Sequence, residues 1–361
     1  MGLGPGVHRL DRRPALRHAE RHAAQGRVAT ETPVRRPRMS KLLDIQDLGV
    51  RFRTPEGAIQ AVDGVSYCVA AGESVAVVGE SGSGKSVSAL AIMGLVPSPP
   101  GTVSGRVMFE GRDLLTLDDE SLRQIRGARI GMIFQEPMTS LNPLLTIGTQ
   151  LRESMKQHLG LTTAQATARA AELLKMVGIS EPERRLRQYP HHFSGGMRQR
   201  VMIAIALSCE PRLVIADEPT TALDVTIQAQ ILTLMKDLTA RLGVALILIT
   251  HNLGIVARYT SRVHVMYAGR MVESCRTDEI FARPRHPYTM GLLASVPRLD
   301  KPRGERLVPI EGQPPDMARL GPGCAYQPRC GFAVSRCLAS PPPLDTIAAD
   351  HRTACFQSSQ L

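Results

Sequence analysis

Gly79-Glu80-Ser81-Gly82-Ser83-Gly84-Lys85-Ser86 places three glycines, a lysine and a hydroxyl at a spacing suited to a chain of phosphates. Phosphate oxygens need several backbone N–H donors converging from one side, and glycines at 79, 82 and 84 keep Cβ atoms out of that approach. The loop follows the apolar run Val75–Val78, read as a buried strand, and opens a helical stretch from Val87 to Leu95. A helix starting there adds free N–H groups and a positive dipole end. Lys85 can reach β- and γ-phosphates, and the Ser86 hydroxyl can ligate Mg²⁺. Gly79, Ser81, Gly82, Ser83, Gly84, Lys85 and Ser86 are therefore the candidate nucleotide contacts.

Acidic chemistry comes later in the chain. Leu213-Val214-Ile215-Ala216 reads as a strand ending in Asp217-Glu218, within the stretch Asp217–Asp224. An acidic pair at the C-terminal end of a buried strand is where a Mg²⁺–phosphate centre needs one. Asp217 can hold the ion, directly or through water, and Glu218 can polarise an attacking water. Two further apolar runs end in polar residues: Ile130–Phe134 in Gln135, and Leu246–Ile249 in Thr250-His251. A histidine at a parallel strand end can reach a γ-phosphate. Ser194, followed by Gly195 and Gly196, reads as the N-cap of an apolar helix running through Ile203 and Leu207, a second helix start able to face an anion. Phe52 is a candidate to stack on an adenine ring, or equally an ordinary strand aromatic.

The elements that must position these residues alternate strand and helix. Leu43–Ile45 and Val50–Phe52 read as strands beside a turn at Pro55-Glu56-Gly57, and Arg106–Phe109 as another strand. Residues 147–187 read as helical, with Gly178 as a C-cap. Residues 1–39 hold nine Arg against Asp11, Glu20 and Glu31, with few large apolar residues. They are expected to be a disordered basic tail, with Met39 read as the true start, immediately before the folded pattern begins at Leu42. That segment carries +6 of the formal net charge of +11, leaving the body mildly basic. A mild surplus suits an anionic nucleotide and a nearby anionic membrane surface. Aromatics at 4% and the absence of Trp argue against stacking on nucleic acid. No apolar run reaches the roughly 18–20 residues that span a bilayer, and no secretory signal is visible.

Of the seven cysteines, Cys68, Cys209 and Cys275 are scattered, whereas Cys324, Cys330, Cys337 and Cys355 cluster in a segment rich in Pro and Gly. Such a loop-rich module needs a staple. Four thiolates suit tetrahedral zinc or an iron–sulfur cluster, and four free thiols is the plain alternative.

Over residues 42–290 these pieces, in this order, resemble an ABC-type ATPase, the nucleotide-binding subunit of a transporter. By that resemblance Gly79–Ser86 is the Walker A loop, Gln135 the Q-loop glutamine, and Ser194–Met197 the signature motif. Leu213–Asp217 is then Walker B, Glu218 the catalytic glutamate, Ala222-Leu223-Asp224 the D-loop and His251 the switch histidine. The signature reads Phe-Ser-Gly-Gly-Met, departing from the commoner Leu-Ser-Gly-Gly-Gln but keeping the Ser and both Gly. Phe134–Met138, Phe193–Arg200, His286-Pro287-Tyr288-Thr289 and Gly323–Cys330 resemble the oligopeptide/dipeptide importer ATPases, a family that also holds nickel importers.

The resemblance implies a P-loop (RecA-like) α/β cassette over residues 40–290, with an antiparallel β edge and a helical subdomain over about 136–210. It further implies a C-terminal cysteine module over 291–361. It implies ATP and Mg²⁺ as cofactors, the ion held by Ser86, Gln135 and Asp217. Lys85 and His251 would stabilise the transferring phosphoryl group. It tips the choice at Cys324, Cys330, Cys337 and Cys355 to one [4Fe–4S] cluster. It implies a second, homologous ATPase subunit whose signature motif caps this chain's ATP, two membrane permeases, and indirectly an extracytoplasmic peptide-binding protein, with no nucleic acid. The expected place is the cytoplasmic face of the cell membrane. Two other classes fit less well. A soluble ABC ATPase of nucleic acid would usually carry tandem cassettes or a long coiled coil. A non-hydrolysing regulator would be expected to lack Glu218 or His251.

Overall fold

A computed structural model describes Met1 and residues 41–221, 223–296 and 309–361. But for Met1, the expected tail over 1–39 lies outside the described residues, as does Ala222 of the D-loop. In chain order the strands are β1 (Lys41–Thr54), β2 (Gly57–Ala70), β3 (Ser74–Val78), β4 (Gly101–Phe109), β5 (Arg112–Asp113) and β6 (Ile130–Ile133). They continue as β7 (Leu213–Asp217), β8 (Ala245–Thr250), β9 (Arg262–Tyr267), β10 (Arg270–Arg276), β11 (Asp345–Ala348) and β12 (His351–Thr353). β2, β1, β4 and β5 make one antiparallel sheet, and the other eight make the main sheet in the order β11-β12-β10-β9-β3-β8-β7-β6.

The centre of the main sheet is parallel from β9 to β6. Its strands read as unbroken apolar runs because both faces are covered. Alternate residues confirm this. Val75 and Val77, Leu213 and Ile215, and Ile247 and Ile249 pack with the antiparallel sheet and the helix Lys85–Ile92. Val214 and Ala216, and Leu246 and Leu248, face a second core built from the helices between β6 and β8. One consequence of the parallel arrangement matters most. The strands end along one edge, so the residues that follow β3, β6, β7 and β8 are delivered side by side.

Three sequence expectations shift. The two short strands at Leu43–Ile45 and Val50–Phe52 are parts of one 14-residue strand, carried through register shifts and a positive φ of 50° at Asp47. Bulges bend a strand without ending it, which hides its continuity from periodicity. The helix after the phosphate loop begins at Lys85 and ends at Ile92. The helical stretch from 147 divides into Ile147–Leu159, Thr163–Met176 and Pro182–Arg185, with Gly160 and Gly178 at positive φ in the breaks.

Residues 309–344 are mostly turns, with a single helical turn at Gln327–Arg329 and a short helix at Ser335–Ala339. The segment nevertheless joins the main sheet, because β12 pairs with β10. There the buried His351 Nε2 and Glu273 Oε1 lie 2.8 Å apart. Among the described residues, no helix is long and apolar enough to cross a membrane.

Two other buried histidines make the fold sensitive to acid. His264 Nδ1 meets Ser274 Oγ at 2.8 Å, and His286 Nδ1 accepts the Tyr288 N–H at 3.1 Å. Burial pushes both imidazoles down to about 3, helped at His264 by the charges of Arg262 and Arg352. Unfolded imidazoles titrate at about 6.5. Between those values the unfolded chain binds more protons, so stability falls as pH drops below 6.5. Relative to pH 7.5, we expect a loss of about 3 kcal/mol at pH 5.5 from the two together. Urea unfolding at the two pH values checks this, and His264→Gln should remove about half of the pH-dependent part.

Candidate active site

The loop after β3 wraps around Lys85. The lysine is 4% exposed. Its Nζ donates to the carbonyls of Gly79 at 2.8 Å and Glu80 at 2.9 Å, with Ser83 Oγ at 3.4 Å. Burial pushes the ammonium's pKa down, while the negative charges of Glu218, Asp217 and Glu80 oppose that shift. The glycines are required, though for reasons that sequence spacing conceals. A Cβ on Gly79 would run into the Met266 carbonyl oxygen of β9, and one on Gly84 into the Ala61 carbonyl oxygen of β2. Gly84 also sits at φ 96°. Only Gly82, at φ 80°, faces open space, as a glycine reserved for an approaching phosphate would.

Opposite the loop, the C-terminal ends of β7 and β8 supply the acids and the histidine. Ser86 Oγ donates to Asp217 Oδ1 at 2.9 Å. Burial raises the Asp217 pKa, and the Ser86 hydrogen bond counters it. These are two adjacent hard oxygen ligands, which fits Mg²⁺, an ion usually held by one or two carboxylates plus substrate phosphates. Next in the chain, Glu218 adopts φ 44°, outside the usual range for a non-glycine residue. Its backbone N–H donates to the Ile249 carbonyl at 3.0 Å.

Three neighbours grip the Glu218 carboxylate. Thr221 Oγ1 donates to it at 2.8 Å, Gln135 Nε2 at 3.2 Å, and His251 Nδ1 lies 3.2 Å away. Burial alone would raise the Glu218 pKa. The hydrogen bonds from Thr221 and His251, with the charges of His251 and Lys85, outweigh it and leave the group below its ordinary value. Glu218 is thus kept as a carboxylate, the form that orients water. A cavity of about 170 Å³ adjoins it, bounded by Thr220, Thr221, Thr250, His251 and Asn252.

The structure therefore brings together Lys85, Ser86, Asp217, Glu218, Gln135 and His251. It places Gln135 against Glu218, and among the described residues no hydrogen bond joins Gln135 to Ser86 or Asp217. Ser194 caps the helix Gly195–Leu207, accepting the Met197 N–H at 3.3 Å. Among the described residues no hydrogen bond or ion pair joins Ser194, Gly195 or Gly196 to the phosphate loop. Gly196 instead meets the helix that follows Asp224, where a Cβ would stand 2.8 Å from Ile227. Phe52 is half-buried beside Gly101. Sequence reasoning gives no role to Thr221, although a hydroxyl three residues past the acid is a signal for a local side-chain contact.

The four cysteines expected to hold a metal cluster fall in the C-terminal segment, where the Cys324 N–H donates to the Cys337 carbonyl at 2.8 Å. Cys324, Cys330 and Cys355 share one neighbourhood with Cys337, close enough for charge on Cys337 to raise the pKa of each of the other three. Yet among the described residues no group of three or more His, Cys, Asp or Glu side chains is arranged to hold a metal ion. Burial, more than mutual charge, pushes the Cys324, Cys330 and Cys355 thiols up, Cys355 to about 11.

A parallel sheet ending in a lysine-bearing glycine loop, an Asp-Glu pair and a histidine defines a nucleoside-triphosphate-hydrolysing cassette. The chain belongs to the ABC transporter family. The ABC transporter model matches residues 62–221, and the model for the oligopeptide/dipeptide transporter C-terminal region matches residues 272–337. The chain is 51% identical over 315 residues to the oligopeptide transport ATP-binding protein OppD of Bacillus subtilis, covering 87% of this chain and 88% of that protein. It is 50% identical over 321 residues to OppD of Mycobacterium tuberculosis, covering 89% of this chain and 52% of that longer protein. Among solved structures, the dimeric post-hydrolysis state of the ATP-binding cassette MJ0796, bound to ADP and Pi, matches with a TM-score of 0.59. It is 29% identical and covers 65% of this chain and 98% of that one.

The glycine contacts give a graded expectation. Gly82→Ala meets only left-handed strain and should cost about 1–2 kcal/mol. Gly84→Ala meets both strain and a carbonyl, and should cost at least about twice as much. Chemical denaturation of the full chain ranks the two.

Proposed function

We propose that this chain is the ATP-hydrolysing subunit of an importer of peptides, working as a peripheral protein on the cytoplasmic face of the membrane. The arrangement around Glu218 carries this reading: a carboxylate held charged by Thr221, Gln135 and His251, beside the Ser86–Asp217 oxygen pair and the Lys85 ammonium. In this reading Gly79, Ser81, Gly82, Ser83 and Gly84 cradle the phosphates. Lys85 and His251 neutralise charge as it develops on the transferring group. Glu218 accepts a proton from the attacking water, and Ser86, Asp217 and Gln135 are the groups that would hold Mg²⁺. Phe52 would stack on the base. Bound Mg²⁺ would supply charge neutralisation at the phosphate oxygens. Ser194, Gly195 and Gly196 would cap ATP on a second subunit, which accounts for their separation from this chain's own loop. The names of the relatives support peptides as cargo. Two membrane permeases, and indirectly an extracytoplasmic peptide-binding protein, are the partners we assign to such an importer. A homologous but unlike ATPase as the second subunit is the pairing we favour.

Glu218→Gln keeps the side chain's size and removes its charge. In the assembled transporter, reconstituted in vesicles, we expect ATP turnover to fall at least about a hundredfold and labelled-peptide uptake to vanish, with ATP still bound. Turnover within a few-fold of wild type, or vesicles that take up nickel and no peptide, would overturn the assignment. A tag on this chain should bring down an unlike ATPase with two permeases, and recovery of a homodimer would refute that pairing.

We also propose that Cys324, Cys330, Cys337 and Cys355 close on a [4Fe–4S] cluster once iron is supplied. The shared neighbourhood of the four thiols supports this, as does the Gln357 N–H donating to Cys355 Sγ at 3.4 Å. Hydrogen bonds to sulfur are usual around such clusters. The cluster would staple the module and take no part in hydrolysis. Anaerobic purification should give brown protein with about four irons per chain; colourless protein with one zinc, or with no metal, would exclude it.

A further inference from the structure

Glu80, the second residue of the phosphate loop, is held at three points. Its N–H donates to the Tyr288 hydroxyl at 2.7 Å, and its carbonyl accepts from Lys85 Nζ. Its carboxylate accepts both terminal nitrogens of Arg329, at 2.7 and 3.1 Å. Arg329 lies 249 residues further along the chain, in the single helical turn Gln327–Arg329 between Cys324 and Cys330.

The arginine is fixed from every side. Its side chain is 4% exposed. Nε donates to the Glu311 carbonyl at 2.9 Å, and Nη1 to the Tyr267 hydroxyl at 3.3 Å. The guanidinium lies over the rings of Tyr267 and Tyr326, at 5.9 and 6.0 Å from their centroids. Tyr288 is fully buried and packs on those same two rings, at 4.6 and 5.4 Å. A bidentate pair sets direction and rotation as well as charge. Here it sets them for the residue whose carbonyl also holds the phosphate-loop lysine. Mere attachment of the C-terminal segment could use any part of the cassette. This one is aimed at the loop whose backbone must hold its donors in one geometry.

We propose that Arg329 and Tyr288 are positioning residues for ATP. They hold Glu80, and through it the loop Gly79–Ser86, in the shape that receives the phosphates. The C-terminal segment is then part of the nucleotide site. The proposal rests on the reading of that loop as the ATP site and extends it to residues that touch no phosphate.

The test measures MgATP binding by calorimetry on the full chain carrying Glu218→Gln, so that no turnover intrudes. Arg329→Met should raise the Kd about tenfold. Arg329→Lys, which keeps the charge and loses the fork, should fall between that and the parent. Glu80→Gln should weaken binding similarly, and the Glu80→Gln/Arg329→Met double variant should be no weaker than the worse single. His351→Asn removes a different anchor of the same segment. It should lower thermal stability and leave the Kd unchanged. An unchanged Kd in Arg329→Met overturns the proposal, as do additive effects in the double variant. So does a loss in His351→Asn equal to that in Arg329→Met at matched stability, which would make Arg329 merely structural. If Arg329→Met does not fold, Arg329→Lys and Glu80→Gln decide by the same criteria. Lys85→Ala separates the underlying reading: if it leaves MgATP binding intact, the loop is not the ATP site, and both fail.

Discussion

A buried ammonium sets the terms for the rest of this molecule. Lys85 is almost wholly removed from water, and a charge in that position is tolerated only when it is surrounded by acceptors. The chain provides carbonyl acceptors from one direction and counter-charge from another. The loop turns its own Gly79 and Glu80 carbonyls inward, while β7 delivers Asp217 and Glu218. Both demands fix the backbone. The loop must run so close to β2 and β9 that glycine alone fits at 84 and 79, and the parallel sheet must end its strands in register.

The acidic side of the site is built on the opposite principle, from contacts that come from separate strand ends. Gln135 follows β6, Thr221 follows β7 and His251 follows β8, and all three converge on one carboxylate. A relative displacement of any strand end would be felt at Glu218 before it was felt elsewhere. A residue held at φ 44° by such a set of contacts stores backbone strain that its surroundings must sustain. That combination is suited to a site that alternates between two arrangements as ligands come and go.

The catalytic constellation was legible because each part has a short-range pattern. A glycine-rich loop lies between strand and helix, an acid pair ends an apolar run, and a Ser-Gly-Gly opens a helix. Those patterns arise from local backbone needs. What stayed hidden depends on distance in sequence. The glycines at 79 and 84 answer to Met266 and Ala61, not to phosphate, and nothing near them in the chain says so. β1 was divided because its bulges interrupt the alternation that marks a strand. The four cysteines announce themselves by clustering, but spacing alone does not fix how four sulfurs are arranged. Arg329 was invisible in principle: an arginine between two cysteines has no local signature, and its partner is 249 residues away.

The pairing of β12 with β10 bears on how the protein comes into being. Synthesis runs from the N-terminus, so Glu273 is laid down 78 residues before His351, whose Nε2 meets it inside the sheet. Over that interval β10 presents an open row of N–H and C=O groups, and a carboxylate destined for burial has the Arg285 N–H but lacks its histidine partner. The cassette's core can assemble meanwhile, since its strands and helices precede β10. The phosphate loop, however, keeps one of its braces vacant until Arg329 arrives. The nascent chain thus emerges with its phosphate loop braced late, and for that interval the open edge is what chaperones would have to shield.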